Sequence, residues 1–279
     1  MKFSVLMSVY AREKPQYLND ALNSVFAQTL KAAQVVLVKD GPLTKELDET
    51  IDSFVARYDT LHVVALPKNV GLGAALNAGL DSCEHDLVAR MDTDDIAEPF
   101  RFERQIQQFL DNPKLSLVGS SVAEFESDPY KIERTRTVPT KHEEILRQFA
   151  QRCPINHPTV VFKKAAVLDA GGYNAEFMQE DYYLWGRLLA KGYIFENLDV
   201  SLVRMRCGAG LYGRRGGVKY AISEVRLQMR FFKLGLVSYP QFFVNSSARF
   251  LVRIMSERLR RYVYLNFLRD DVVSSATQS

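Results

Sequence analysis

The chain alternates between short apolar runs and stretches in which apolar residues recur every three or four positions. The runs "FSVLMSV" (3–9), "QVVLVKD" (34–40), "LHVVAL" (61–66), "HDLVARMD" (85–92) and "LSLVGSS" (115–121) are nearly continuous in apolar character, which predicts strands buried on both faces. Between them, "PQYLNDALNSVFAQT", "TKELDETIDSFVARY", "GLGAALNAGLDS" and "PFRFERQIQQFLDN" carry the helical spacing. Strand and helix alternate, so the fold class is α/β, with a mostly parallel, doubly wound sheet and right-handed crossovers. Further along, "CPINHPTVVFKKAAVLDAGGYN" predicts a strand and a short helix ending at Gly171-Gly172. "FMQEDYYLWGRLLAKG" then predicts an amphipathic helix opened by an acidic pair and stopped at Gly192.

Ligands of such sheets sit beyond the carboxyl ends of the strands. The residues expected there are Tyr10 after the first strand, Asp40-Gly41 after the second, Lys68-Asn69 after the third, and the cluster Asp92, Asp94 and Asp95 after the fourth. Carboxylates this close repel one another, and a hard divalent cation with oxygen ligands resolves the conflict. The alternative is structural: Asp94 or Asp95 caps the helix that begins near Pro99. Asp40-Gly41 reads equally as a turn, and Glu180-Asp181 as favourable charge at a helix N-terminus. "NVGLGAALNAGL" has Gly71 and Gly73 but Leu76 where a dinucleotide fingerprint needs a third glycine.

Length and charge refine the picture. The 279 residues, 47 % hydrophobic, suit one main domain with a smaller appendage. Cys83, Cys153 and Cys207 are odd in number and widely spaced, which fits a reducing compartment better than a disulfide framework. "MKFSVLMSVY" reads as a first strand, not a signal peptide, and no run of about 18 uncharged apolar residues suggests a membrane span. Residues 1–203 carry 22 basic against 29 acidic side chains, whereas residues 204–279 carry 14 against 4. The boundary is therefore drawn between a main domain, 1–203, and a basic, helical appendage, 204–279, that faces something anionic. Nucleic acid is disfavoured, because long aliphatic residues interleave the basic ones and no recognition motif accompanies them.

In order, "SVLMSVY", "LNSVFAQTL", "VVLVKDG", "NVGLGAALNAGL", "ARMDTDDIAEPFRFERQ" and "GGYNAEFMQEDYYLW" resemble the family 2 glycosyltransferases, inverting enzymes of the GT-A fold, over residues 3–192. The resemblance implies a Rossmann-like GT-A domain, Mn2+ or Mg2+ as cofactor, and a nucleoside-diphosphate sugar, by expectation a UDP-sugar, as donor. It places Tyr10 and Asp40 at the uracil, Lys68 and Asn69 near the nucleotide, Asp92 at the ribose and Asp94 on the metal. Of Glu180 and Asp181, it makes Asp181 the general base. Many family members place a histidine after the last core strand; here "LVRMRCGAGLYGRRGG" offers Arg204, Arg206 and Cys207 instead. Arg206, Arg214 and Arg215 become candidates for a diphosphate and His157 for the acceptor pocket, while Trp185 is expected to pack its helix on the sheet.

By analogy with bacterial enzymes building O-antigen or exopolysaccharide, the expected acceptor is a lipid-diphosphate-linked saccharide. The expected location is peripheral, on the cytoplasmic face of the inner (plasma) membrane. In "SSARFLVRIMSERLRRYVYLNFLR" (246–269), Leu251, Met255, Leu259, Tyr262 and Leu265 form an apolar stripe. Arg249, Arg253 and Arg260 project elsewhere, with an anionic membrane surface as the expected partner. Two rival readings are a sugar nucleotidyltransferase, disfavoured by "YAREKP" where a glycine-rich basic loop would stand, and a catalytically silent, membrane-associated nucleotide-binding scaffold.

Overall fold

The structure, a computed structural model, describes residues 1–174, 178–207 and 217–255. Strands β1 (Phe3–Val9), β2 (Gln34–Lys39), β3 (Leu61–Ala65) and β4 (Leu87–Asp92) form where the apolar runs predict them. They pair in parallel in the order β3-β2-β1-β4. Helices α1 (Pro15–Phe26), α2 (Lys45–Val55), α3 (Leu72–Ser82) and α4 (Arg101–Asp111) supply the crossovers. Because side chains alternate along each strand, Val5, Met7, Leu37 and Met91 pack against α1, α2 and α4. Leu6, Val36, Val38 and Val88 pack on the opposite face against α3 and later helices. The result is a sheet between two helical layers.

One expectation for the sheet needs correction. β3 is not buried on both faces: it forms the sheet edge, and His62 and Val63 are exposed. The fifth predicted strand, β6 (Leu115–Phe125), follows a two-residue β5 (Ile96–Ala97) and does not lie beside β4. After β7 (Arg134–Arg136) and α5 (His142–Phe149), β8 (Val161–Lys163) inserts antiparallel between β4 and β6. β8 then leads into α6 (Lys164–Asp169) and α7 (Glu180–Ala190). The long β9 (Ile194–Arg206) runs parallel to β6 and antiparallel to β5, which brings its end, at Arg206, back to the carboxyl side of β4. The boundary between 203 and 204 drawn from charge falls inside this strand.

The described part of the C-terminal quarter is helical, as its pattern predicts: α8 (Val218–Lys233) and α9 (Tyr239–Ile254). Leu227 and Phe231 of α8 are buried in the same core as Trp185 and Leu188 of α7. Gly186 makes this approach possible, since a Cβ there would lie 2.6 Å from the Phe231 ring. Arg249 and Arg253 do not project to an external surface. Both turn inward onto Glu224 of α8, at 2.7 and 2.6 Å. Glu224 is 1 % exposed, and a carboxylate so deeply buried requires ionic partners, which the two arginines supply. The remaining members of the expected stripe, from Leu259 onward, together with Arg260, lie outside the described residues.

Candidate active site

Three loops at the carboxyl ends of β1, β2 and β4 are tied to one another. Asp40, 4 % exposed, accepts the N–H groups of Val70 and Gly71 at 2.7 and 3.1 Å and the Nδ2 of Asn69 at 2.9 Å. The end of β2 thus holds the loop that starts α3. Gly41 takes φ +88° there, and a Cβ would meet the Asn69 nitrogen at 2.5 Å, so glycine is required by backbone conformation and by space. Lys68 and Tyr10 stay exposed on the rim, with the Tyr10 ring beside a turn closed by the Glu13 N–H to the Tyr10 carbonyl. Glu13 in turn accepts the hydroxyl of Thr93 at 2.9 Å, linking the β1 loop to the acidic loop after β4.

That acidic loop does not cap α4. The N-cap of α4 is Phe100, without a side-chain hydrogen bond, and β5 intervenes. The capping alternative is thereby removed for both Asp94 and Asp95. Ligand atoms of Asp92, Asp94 and Asp95 instead lie within 4.8 Å of one another. Burial, followed by the charges of Asp92 and Glu13, raises the Asp94 carboxyl to about 7. Asp95 is pushed well above the usual carboxylate range by burial and by both neighbours. Its Oδ1 accepts the Arg206 N–H at 2.8 Å, while its buried Oδ2 has no hydrogen-bond partner. Three clustered hard oxygen donors, of which Asp94 and Asp95 are destabilised as anions and Asp95 keeps an unbonded Oδ2, fit a divalent cation such as Mn2+ or Mg2+.

Arg90 is a residue that sequence reasoning missed. It shares a face of β4 with Asp92, two positions on, and grips both carboxylate oxygens of that residue, with Nη1 at 2.6 Å from Oδ2. The Arg90 side chain is 2 % exposed, and its carbonyl accepts Nη2 of the fully buried Arg101 at 2.7 Å. A basic residue inside the otherwise apolar "LVARM", directly ahead of Asp92, was the available signal, because a buried guanidinium needs a counter-ion and i+2 is the nearest position on the same face.

The second acidic pair comes up beside this rim. Glu180 and Tyr173 both pack over Gly73 in the first turn of α3, each 3.5 Å from where a Cβ would stand. Asn77 of α3 clamps the Tyr173 backbone through its N–H at 2.8 Å and its carbonyl at 2.7 Å. Burial, then the charge of Asp181, raises Glu180 to about 7. Asp181 is half-buried, and its Oδ1 accepts the N–H of Tyr182 at 2.7 Å. The pair also supplies negative charge to the α7 N-terminus, so its structural role is satisfied as well.

His157 is buried, its Nε2 lying 3.0 Å from the Tyr173 hydroxyl, and burial followed by the charge of Arg90 holds the ring neutral. Trp185 is fully buried and packs α7 on the sheet as expected, leaving no ring face for a sugar. Arg206 reaches the acidic loop, donating from Nε to the Asp94 carbonyl at 3.2 Å while stacked 3.7 Å over Tyr17. Arg214 and Arg215 lie outside the described residues.

Comparison with known proteins fits this geometry. The chain is 41 % identical to "UDP-Gal:alpha-D-GlcNAc-diphosphoundecaprenol beta-1,3-galactosyltransferase" of Escherichia coli, over 96 % of this chain and 97 % of that protein. It is also 41 % identical to the amylovoran biosynthesis glycosyltransferase AmsE of Erwinia amylovora, over 95 % of this chain and 97 % of that one. The fold matches a mannosyltransferase, PcManGT from Pyrobaculum calidifontis, solved with GDP-Man and Mn2+. That match has a TM-score of 0.64 at 14 % identity, over 93 % of this chain and 72 % of that one. The model of "Glycosyl transferase family 2" matches residues 4–169, more than half the chain, and the protein, a glycosyltransferase of GT-A fold, belongs to that family.

Proposed function

We propose that the enzyme transfers a sugar from a UDP-sugar, with inversion, to a hydroxyl of a lipid-diphosphate-linked saccharide in O-antigen or exopolysaccharide synthesis. The observation that carries this reading is that Asp40 anchors the loop starting α3, Glu180 packs over Gly73 in the first turn of that helix, and Glu180 feels the charge of Asp92 from the acidic cluster. Tyr10 offers its exposed ring to the uracil, and Asp40, with Asn69 and Lys68, shapes the pocket beside it. Asp92 takes the ribose. Asp94 would hold the cation, which when bound would supply Lewis-acid stabilisation of the charge on the departing diphosphate. Arg206, already seated against the Asp94 carbonyl, adds a guanidinium beside that diphosphate.

The acceptor hydroxyl attacks the anomeric carbon from the side opposite the diphosphate, and its proton passes to Asp181. Glu180, raised to about 7, lies beside that site, and its carboxyl takes up a proton more readily than an ordinary carboxylate does. His157, through the Tyr173 hydroxyl, braces the floor of the acceptor side. A lipid-borne acceptor brings the enzyme to the cytoplasmic face of the membrane, yet no helix of the described residues is long and apolar enough to cross it.

The test is a donor panel headed by UDP-galactose, run against short lipid-diphosphate-linked acceptors, with the product linkage read by NMR. Transfer with an inverted linkage supports the reading. Absence of transfer from every UDP-sugar, with transfer from another nucleotide sugar, overturns the UDP assignment.

Arg90 gives a narrower prediction. By fixing both Asp92 oxygens it leaves only their outward lone pairs for the nucleotide, so Arg90→Gln is expected to weaken UDP binding about 10–100-fold, in line with lost supports of site ligands. Calorimetry with UDP in the presence of Mn2+ checks this. Arg90→Lys, which keeps the charge but not the fork, should recover only part of the loss.

A further inference from the structure

Helices α8 and α9 carry their polarity in an unusual direction. Glu224 is the one acidic residue between 217 and 255, and it is buried under Arg249 and Arg253. With the arginines of α9 turned inward, the outer side of that helix is left with Tyr239, Phe243, Val244, Phe250, Leu251 and Ile254, each between 36 and 65 % exposed. At about 100° per residue these six span roughly 140° of the helix surface, with the exposed, uncharged Ser247 among them. From α8, Val218, Ile222, Met229 and Phe232 are exposed as well. The exposed charges of α8 are Lys219, Arg226, Arg230 and Lys233, all of one sign. Exposed apolar area of this extent on a folded chain marks an interaction surface.

We propose that the outer side of α8 and α9 is the surface on which the enzyme rests on an anionic lipid bilayer. The aromatic and aliphatic residues of α9 enter the headgroup boundary, and the lysines and arginines of α8 lie against lipid phosphates. Charge decides the occupant. A second copy would set basic α8 residues against their own kind, and residues 256–279 add four arginines against three acids, so neither supplies the anionic partner. A bilayer rich in acidic headgroups does.

The same packing relates this surface to the site. The Ser223 hydroxyl of α8 donates to Gln179 Oε1 at 3.4 Å, immediately before Glu180 and Asp181. Arg249 of α9 lies 5.9 Å over the ring of Tyr182, the next residue. A bilayer on the outer side of these helices is thus one helical layer from the assigned base, within reach of a saccharide still attached to its lipid. The proposal deepens the lipid-linked reading above, and its deciding readout, vesicle binding, involves neither sugar nucleotide nor acceptor, so failure here leaves that reading standing.

Full-length protein is mixed with sedimenting vesicles of neutral phosphatidylcholine, alone or with added phosphatidylglycerol. Binding is expected to the anionic vesicles, with release by high salt. Phe243→Glu combined with Leu251→Glu should weaken it by at least about tenfold, since it places carboxylates in the apolar stripe. Arg226→Glu combined with Lys233→Glu should abolish the preference for anionic over neutral lipid. Both pairs are surface positions, and circular dichroism with transfer to a short, soluble acceptor verifies that the fold and site persist. Equal binding to both vesicle types, binding to neither, or vesicle binding unchanged in both variants overturns the proposal. So does a wild-type dimer, seen in sedimentation equilibrium, that the Phe243 and Leu251 changes split while vesicle binding stays intact.

Discussion

Asp94→Ala is expected to remove transfer activity by about 10³-fold or more, the scale of several kcal/mol of lost charge stabilisation at the departing diphosphate. The same variant should lose Mn2+ binding measured by electron paramagnetic resonance in the absence of any sugar nucleotide, while its circular dichroism stays that of the wild type. Chelator should silence the wild-type enzyme, and added Mn2+ or Mg2+ should restore it. Full activity in excess chelator would remove the metal from the reading altogether.

The electrostatics of Asp94 give this prediction a second arm with a definite sign. Its carboxyl is raised to about 7 by burial and by the charges of Asp92 and Glu13, whereas the unfolded chain would show the ordinary value near about 4. Between those values the folded state binds the proton more tightly, so Asp94 costs the fold stability progressively as pH rises from about 4 to about 7. Asp94→Asn escapes that cost. In chelator, the variant should therefore gain on the wild type over that interval, seen as a widening difference in urea midpoint, and the difference should level off above it. A gap that narrows over the same interval would show that Asp94 is stabilised as an anion by groups of the protein, and would count against its need for a cation.

How far the sequence could be read depended on whether a signal was local. The strands β1, β2 and β4 are buried on both sides, so their apolar runs are almost uninterrupted, and α1 to α4 repeat their buried residues with helical spacing. The rule that ligands gather beyond strand ends then led to Asp40, Asn69 and the acidic cluster, and the structure brings Asn69 to Asp40 and the three carboxylates together. Past β4 the pairing is decided by partners distant in sequence. β8 is three residues long, β5 two, and β9 mixes buried and partly exposed positions without strict alternation. None of these patterns discloses that β8 runs antiparallel beside β4.

The same distinction separates the site residues that were found from those that were missed. Glu13 carries no motif of its own and matters only because Thr93, eighty residues later, donates to it. Arg249 and Arg253 show the converse case. Their excess of positive charge correctly implied a negative neighbour, but charge counting has no means of telling a lipid headgroup from Glu224 on an adjacent helix. The answer turned on which face of α9 is buried, and an amphipathic pattern with arginine on one side and apolar residues on the other suggests the opposite of what the fold adopts. Pairing two arginines with one buried carboxylate makes the arginine side the inner one.

Asp181→Asn is the most discriminating change on the acceptor side. The asparagine keeps the size and the hydrogen bond from the Tyr182 N–H to its side-chain oxygen, so α7 should start as before, yet an amide cannot take the proton of the attacking hydroxyl. Turnover is expected to fall by about 10²–10⁴-fold, the usual worth of a general base, while UDP affinity measured by calorimetry stays close to that of the wild type. Glu180→Gln should cost less. That carboxyl sits over Gly73, where burial and the Asp181 charge raise it to about 7, so part of the population carries a proton near neutral pH. A group in that state can brace the site and tune its neighbour, and the assignment of the base to Asp181 rests on the family resemblance, so the two variants decide between them. Two signatures follow for the pair. Glu180→Gln should change the pH dependence of kcat between about pH 6 and 8 more than its maximum, because the neighbour whose ionisation burdens Asp181 in that range is gone. Asp181→Asn should lower the whole profile, since no other carboxylate is assigned to the proton. Normal turnover in Asp181→Asn, with the large loss appearing instead in Glu180→Gln, would transfer the base to Glu180 and leave Asp181 with the role of complementing the positive end of α7.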